Sequence, residues 1–153
     1  MAWLPPAPGA PSPESFFGFR MGADRQLADW PALQRYVETL AAASDRVDLL
    51  DAGATTDGRR FVAAVVSAPE NLARLDEIRA ASLRLADPRT LDEASARSLI
   101  ERQPVIVAIG MSVHATEIGG IQMAPELAYD LVSRQDEETR RILAELEVDI
   151  DPR

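Results

Sequence analysis

The sequence predicts an α/β fold, and three observations carry that prediction. Residues 104–110, Pro-Val-Ile-Val-Ala-Ile-Gly, are a short β-branched run bounded by proline and glycine, the pattern of a strand buried on both faces. Two further β-prone runs, residues 47–50 and 61–66, are joined through Asp57-Gly58 and read as a hairpin. Segments with apolar residues at helical spacing lie before, between and after these strands.

A chain of 153 residues is long enough for one domain with its own core and short for two. Hydrophobic residues at 46% and charged residues at 27% are ordinary for a globular protein. The net charge is -9 and every basic side chain is an arginine. An acidic chain without a concentrated basic surface is a poor nucleic-acid binder. With no cysteine, disulfides, thiolate metal sites and cysteine nucleophiles are excluded. No stretch approaches the roughly 18 apolar residues of a membrane span. The N-terminus lacks the basic start and apolar run of a signal peptide, so the expectation is a soluble, cytoplasmic protein with no membrane partner.

Residues 1–13 hold five prolines and a glycine and are expected to form an irregular arm ahead of a domain over 14–153. The cluster Phe16-Phe17-Gly18-Phe19-Arg20 is expected to pack against the core. Asp29-Trp30-Pro31 is a helix start, and Leu33, Tyr36, Val37 and Leu40 fall on one face of a helix reaching about Ser44. After the hairpin, Pro69 opens a second helix with apolar positions Leu72, Leu75, Ile78 and Leu85, ended by Asp87-Pro88. Thr90-x-x-Glu93 reads as a capping box for an exposed helix to Arg102. Beyond the strand at 104–110 come a loop from Met111 to Gly120 and a helix with Ile121, Met123, Leu127, Ala128 and Leu131. A last helical pattern follows Asp136 through Ile142, Leu143 and Leu146.

The chemistry concentrates in that loop. His114, the sole histidine, precedes Glu117 by three residues, so the two side chains converge if the backbone curls into a helical turn. Ligands of α/β folds gather at the carboxyl ends of strands, and imidazole nitrogen and carboxylate oxygen are both zinc donors. Taken alone, His-x-x-Glu is a weak pattern. A solvent-facing pair, with Glu117 favoured by the dipole of the following helix, accounts for it equally well. Gly119-Gly120 allows a close approach of backbone or substrate, or simply the turn.

Several blocks together resemble the carboxypeptidase A-like zinc metallopeptidases, and most of all a bacterial branch of them. They are Ser12-Pro13-Glu14-Ser15-Phe16-Phe17-Gly18-Phe19-Arg20-Met21-Gly22-Ala23-Asp24, the Tyr36–Leu40 helix with Ala43-Ser44-Asp45-Arg46-Val47, Gly53-Ala54-Thr55-Thr56-Asp57-Gly58-Arg59, Ser67-Ala68-Pro69-Glu70-Asn71-Leu72, and His114-Ala115-Thr116-Glu117-Ile118-Gly119-Gly120. The resemblance spans about residues 12–146. It implies the N-terminal part of a three-layer, mixed-sheet α/β fold, with His114 and Glu117 as ligands of Zn2+ in an enzyme that hydrolyses peptide substrates. The family's third ligand is a later histidine, and its general-base glutamate and substrate-binding arginine and tyrosine also come later. None of these has a counterpart here, so no catalytic residue is assigned and the chain is expected to be inactive without a C-terminal half. A nearby carboxylate, Glu126 or Asp130, is a poor substitute ligand. The rival implications are a zinc-dependent deacylase of N-acyl amino acids on the same fold, and a non-catalytic binding or remnant domain. In place of the family's next strand and Asn-Pro-Asp-Gly loop stands residues 145–153, which keep only Asp151-Pro152.

Overall fold

The structure, a computed structural model, describes residues 9–114 and 116–151. The element order is α1 (Pro13–Phe17), α2 (Trp30–Ala43), β1 (Val47–Ala54), β2 (Arg60–Val66), α3 (Pro69–Leu72), α4 (Leu75–Ala86), a 3-10 turn (Pro88–Thr90), α5 (Glu93–Arg102), β3 (Val105–Gly110), α6 (Ile118–Ser133), α7 (Glu137–Glu145) and β4 (Leu146–Asp151). The strands form one mixed sheet in the order β1-β2-β4-β3. β2 runs antiparallel to both β1 and β4, while β3 runs parallel to β4 with Val105 opposite Leu146 and Gly110 opposite Asp151. The carboxyl ends of β1, β4 and β3 therefore share one edge of the sheet.

The expected helix α2 forms with Asp29 as its N-cap, its Oδ1 accepting the Ala32 N–H at 2.9 Å, and Pro31 in the first turn. Its buried residues are Leu33, Tyr36, Val37 and Leu40, the apolar face read from the sequence. That face packs with Val47, Ala64 and Val66 of the hairpin and with Ala124, Ala128 and Val132 of α6. Phe16 and Phe17 lie 5.0 Å and 5.2 Å from the Tyr36 ring. The Tyr36 hydroxyl donates to the Pro11 carbonyl at 3.0 Å. The aromatic cluster thus fastens the N-terminal segment to the core, and burial pushes the Tyr36 phenol pKa well up. Of the expected arm, residues 1–8 lie outside the described residues; Ser12 caps α1, its hydroxyl accepting the Ser15 N–H.

Several expectations are corrected. β3 forms as read but is not buried: Val105–Ala108 are exposed and only Ile109 is half-buried. The strand covered on both faces is β2, buried at each position from Val62 to Val66. β3 lies at the edge, and its extensive contacts are with β4 alone. The single helix expected from Pro69 breaks at Ala73-Arg74. Asn71 is the reason, because its Nδ2 reaches the Ser67 hydroxyl and the carbonyls of Leu143 and Ala144 and holds α3 against the end of α7. The box at Thr90 does not form; Asp92 caps α5 through the Ser95 N–H at 2.8 Å. On α6 the core face is Ala124, Ala128 and Val132, with Met123 half exposed, because small side chains let this helix come close to α2. Leu146 begins a strand rather than ending a helix.

Replacing Asn71 with leucine removes the donor to the Ser67 hydroxyl and to the Leu143 and Ala144 carbonyls, and urea denaturation is expected to show a loss of about 1–3 kcal/mol. A second expectation concerns acid. The Asp136 carboxylate is held at about 2, first by the Thr139 N–H, then by the Thr139 hydroxyl and Arg134. Its folded pKa lies below the unfolded value of about 3.9. The stability it contributes is therefore complete above that value and is lost as pH falls toward 2. Asp136→Asn keeps a capping oxygen and should flatten this acid limb in urea midpoints measured from pH 5 down to pH 2.

Candidate metal centre

β3 delivers the chain at Gly110 to the sheet edge where the carboxyl ends of three strands meet. The next residues turn tightly: the Glu117 N–H donates to the His114 carbonyl at 3.0 Å, and α6 starts at Ile118. This turn brings His114 Nδ1 within hydrogen-bonding distance, 3.0 Å, of Glu117 Oε1. Glu117 Oε2 is occupied elsewhere. It accepts the Val113 N–H at 3.0 Å, the His114 N–H at 3.1 Å and the Ser112 hydroxyl at 3.2 Å. The carboxylate thus closes a small ring of loop donors. The Val113 N–H first, then the His114 ring, hold its pKa at about 2, so Glu117 is an anion throughout the physiological range.

The turn depends on Gly120. A Cβ built there would lie 1.9 Å from the Met111 carbonyl oxygen, so only glycine lets the first turn of α6 lie against the loop. At Gly119 a Cβ would meet nothing, and its adjacency to Gly120 has no packing reason. A second fastening comes from Gln122 on the same helix. Its amide accepts the Ala28 N–H at 3.0 Å and donates to the Ala28 carbonyl at 3.1 Å. That buried two-point clasp holds the segment before α2 against the start of α6. A single glutamine in an amphipathic helix gives no sequence signal of this role.

A cleft of about 690 Å3 opens next to the pair between the hairpin tip, the segment before α2 and the start of α6. Its lining includes Leu27, Trp30, Phe61 and Ile118, with Asp57 and Arg59 from the tip. Such an apolar hollow with a few polar groups is the usual form of a ligand site.

The donor chemistry suits zinc, a borderline-soft ion that takes imidazole nitrogen and carboxylate oxygen together. The count stops at two. Among the described residues no group of three or more His, Cys, Asp or Glu is placed to hold a metal. Neither Glu126 nor Asp130 joins the pair; burial and the charge of Asp130 instead raise the Glu126 pKa.

The sequence model of the zinc carboxypeptidase family matches residues 33–152. No curated protein matches the chain. Among solved structures, the crystal structure of the carboxypeptidase A from Helicoverpa armigera is similar in fold, with a TM-score of 0.55 at 14% identity. The similarity covers 83% of this chain and 24% of that one.

Two glycine substitutions separate the close approach from mere turn flexibility. Gly120→Ala is expected to push α6 off the Met111 carbonyl and lower the thermal midpoint by several degrees, about 1–3 kcal/mol. Gly119→Ala should leave it within about 0.5 kcal/mol. Calorimetry of the two variants checks both.

Proposed function

The chain belongs to the zinc carboxypeptidase family, and we propose that it supplies His114 and Glu117 as two of the three protein ligands of a catalytic zinc ion in a peptide-hydrolysing domain. The observation that carries this reading is the approach of His114 Nδ1 to Glu117 Oε1 at 3.0 Å, at the strand edge where α/β folds bind ligands. Zinc held there would supply Lewis-acid polarisation of a peptide carbonyl.

The chain's own residues prepare for that chemistry. Ser112 and the loop N–H groups keep Glu117 ionised and fix its orientation, so little reorganisation is left for the moment of binding. The cleft beside Leu27, Trp30 and Ile118 offers apolar surface to a peptide lying across the site. A third ligand and a general base are still needed. With His114 the only histidine in 153 residues, the completing groups come from a further portion of the domain, and the chain by itself is inactive.

Isothermal titration with zinc tests this. Two protein ligands should bind no tighter than about 1 µM, roughly 8 kcal/mol, well short of the about 10–16 kcal/mol of complete structural sites. Both His114→Ala and Glu117→Gln should remove the binding. Stoichiometric nanomolar zinc, together with release of the C-terminal residue from an N-acylated dipeptide by this chain alone, would overturn the reading.

A further inference from the structure

Between β2 and β3 the chain runs through α4 and α5, and a hollow of about 350 Å3 opens between these two helices. Arg84 of α4 lines it, with Ala94, Ser95, Ser98, Leu99 and Arg102 of α5. Ala94, Ser98 and Arg102 are four residues apart and share one face of α5. None of these residues lines the cleft beside His114.

The polar groups of the hollow are donors in want of an acceptor. Among the described residues, the side chains of Arg84, Ser98 and Arg102 make no hydrogen bond and no ion pair. The carboxylates close by are engaged elsewhere. Asp92 Oδ2 accepts the Ser95 hydroxyl at 3.0 Å, and Glu93 pairs with Arg97 at 2.7 Å. A chain with 25 acidic and 16 basic residues has no shortage of partners, yet two arginines face one hollow without any, and like charges repel. Each stands in the last turn of its helix, where the dipole favours a cation. The dipole accounts for each arginine separately but not for their meeting at one hollow.

We propose that this hollow binds a phosphomonoester. Arg84 and Arg102 hold the phosphate, Ser98 donates a hydrogen bond to it, and Ala94 and Leu99 lie against the organic group. Guanidinium donors match phosphate oxygens in pairs, and two arginines balance a charge of about -2. The hollow far exceeds the about 30 Å3 share of one water, so phosphate alone leaves it part empty.

The test titrates phenyl phosphate into the full 15N-labelled chain at about pH 7.5 and about 20 mM salt, where the ester is a dianion and screening is weak. Amide shifts should centre on residues 94–102 and the end of α4, with a dissociation constant of about 1 mM or tighter. Inorganic phosphate should bind at least about threefold more weakly, and phenol should move none of these amides. Arg84→Gln and Arg102→Gln should each weaken binding at least about fivefold and keep the thermal midpoint, because both side chains are exposed. Arg141→Gln removes the same charge from α7 and should leave the affinity within about twofold. No binding by about 10 mM ester, shifts centred elsewhere, or an equal loss in Arg141→Gln would each overturn the proposal. So would phenol or inorganic phosphate binding as tightly as the ester.

Discussion

Ser67 and Asn71 hold the sheet together from outside it. A helix leaves its last carbonyls without partners, and at the end of α7 these two side chains collect three of them. The Ser67 hydroxyl donates to the Leu143 and Leu146 carbonyls, and Asn71 Nδ2 donates to those of Leu143 and Ala144. Both residues are buried, as is Leu143, so losing these donors would cost more than it would at the surface. The contacts fix where α7 stops and β4 starts. β4 then pairs with β2 on one side and β3 on the other, and only through it does β3 join the hairpin. The relation between the His114–Glu117 loop after β3 and the cleft at the hairpin tip depends in part on a pair of hydrogen-bonding side chains some distance from either.

Within the loop between β3 and α6 the ordering is local. Glu117 Oε2 gathers the Val113 and His114 N–H groups and the Ser112 hydroxyl, while Gly120 allows α6 to rest on the Met111 carbonyl. Nothing in this arrangement requires a metal to be present. The carboxylate shapes the loop with one oxygen and keeps the other turned to the histidine. One side chain, Glu117, thus both shapes the turn and reaches the His114 ring.

What the sequence made legible follows a physical division. α2, the hairpin and the His114–Glu117 pair depend on neighbours a few residues apart, and periodicity, caps and spacing report such dependence well. Where distant segments decide, the reading failed. The break at Ala73-Arg74 comes from Asn71 reaching α7, and the central place of β4 comes from pairing with strands far away in the chain. The Val105–Gly110 run was read as doubly buried because its composition is that of a covered strand. The composition was informative, yet β2 takes the covered place in these residues. On α6 the largest apolar side chains drew attention, but Ala124 and Ala128 form the contact because close helix packing favours small ones.

β3 is exposed on both faces, and the loop with the His114–Glu117 pair follows directly from its end. β3 carries His114 on its extension, and an edge strand without covering helices is among the first parts of a fold to open. Local hydrogen bonds can hold Glu117 toward His114, but they cannot steady the strand beneath the loop.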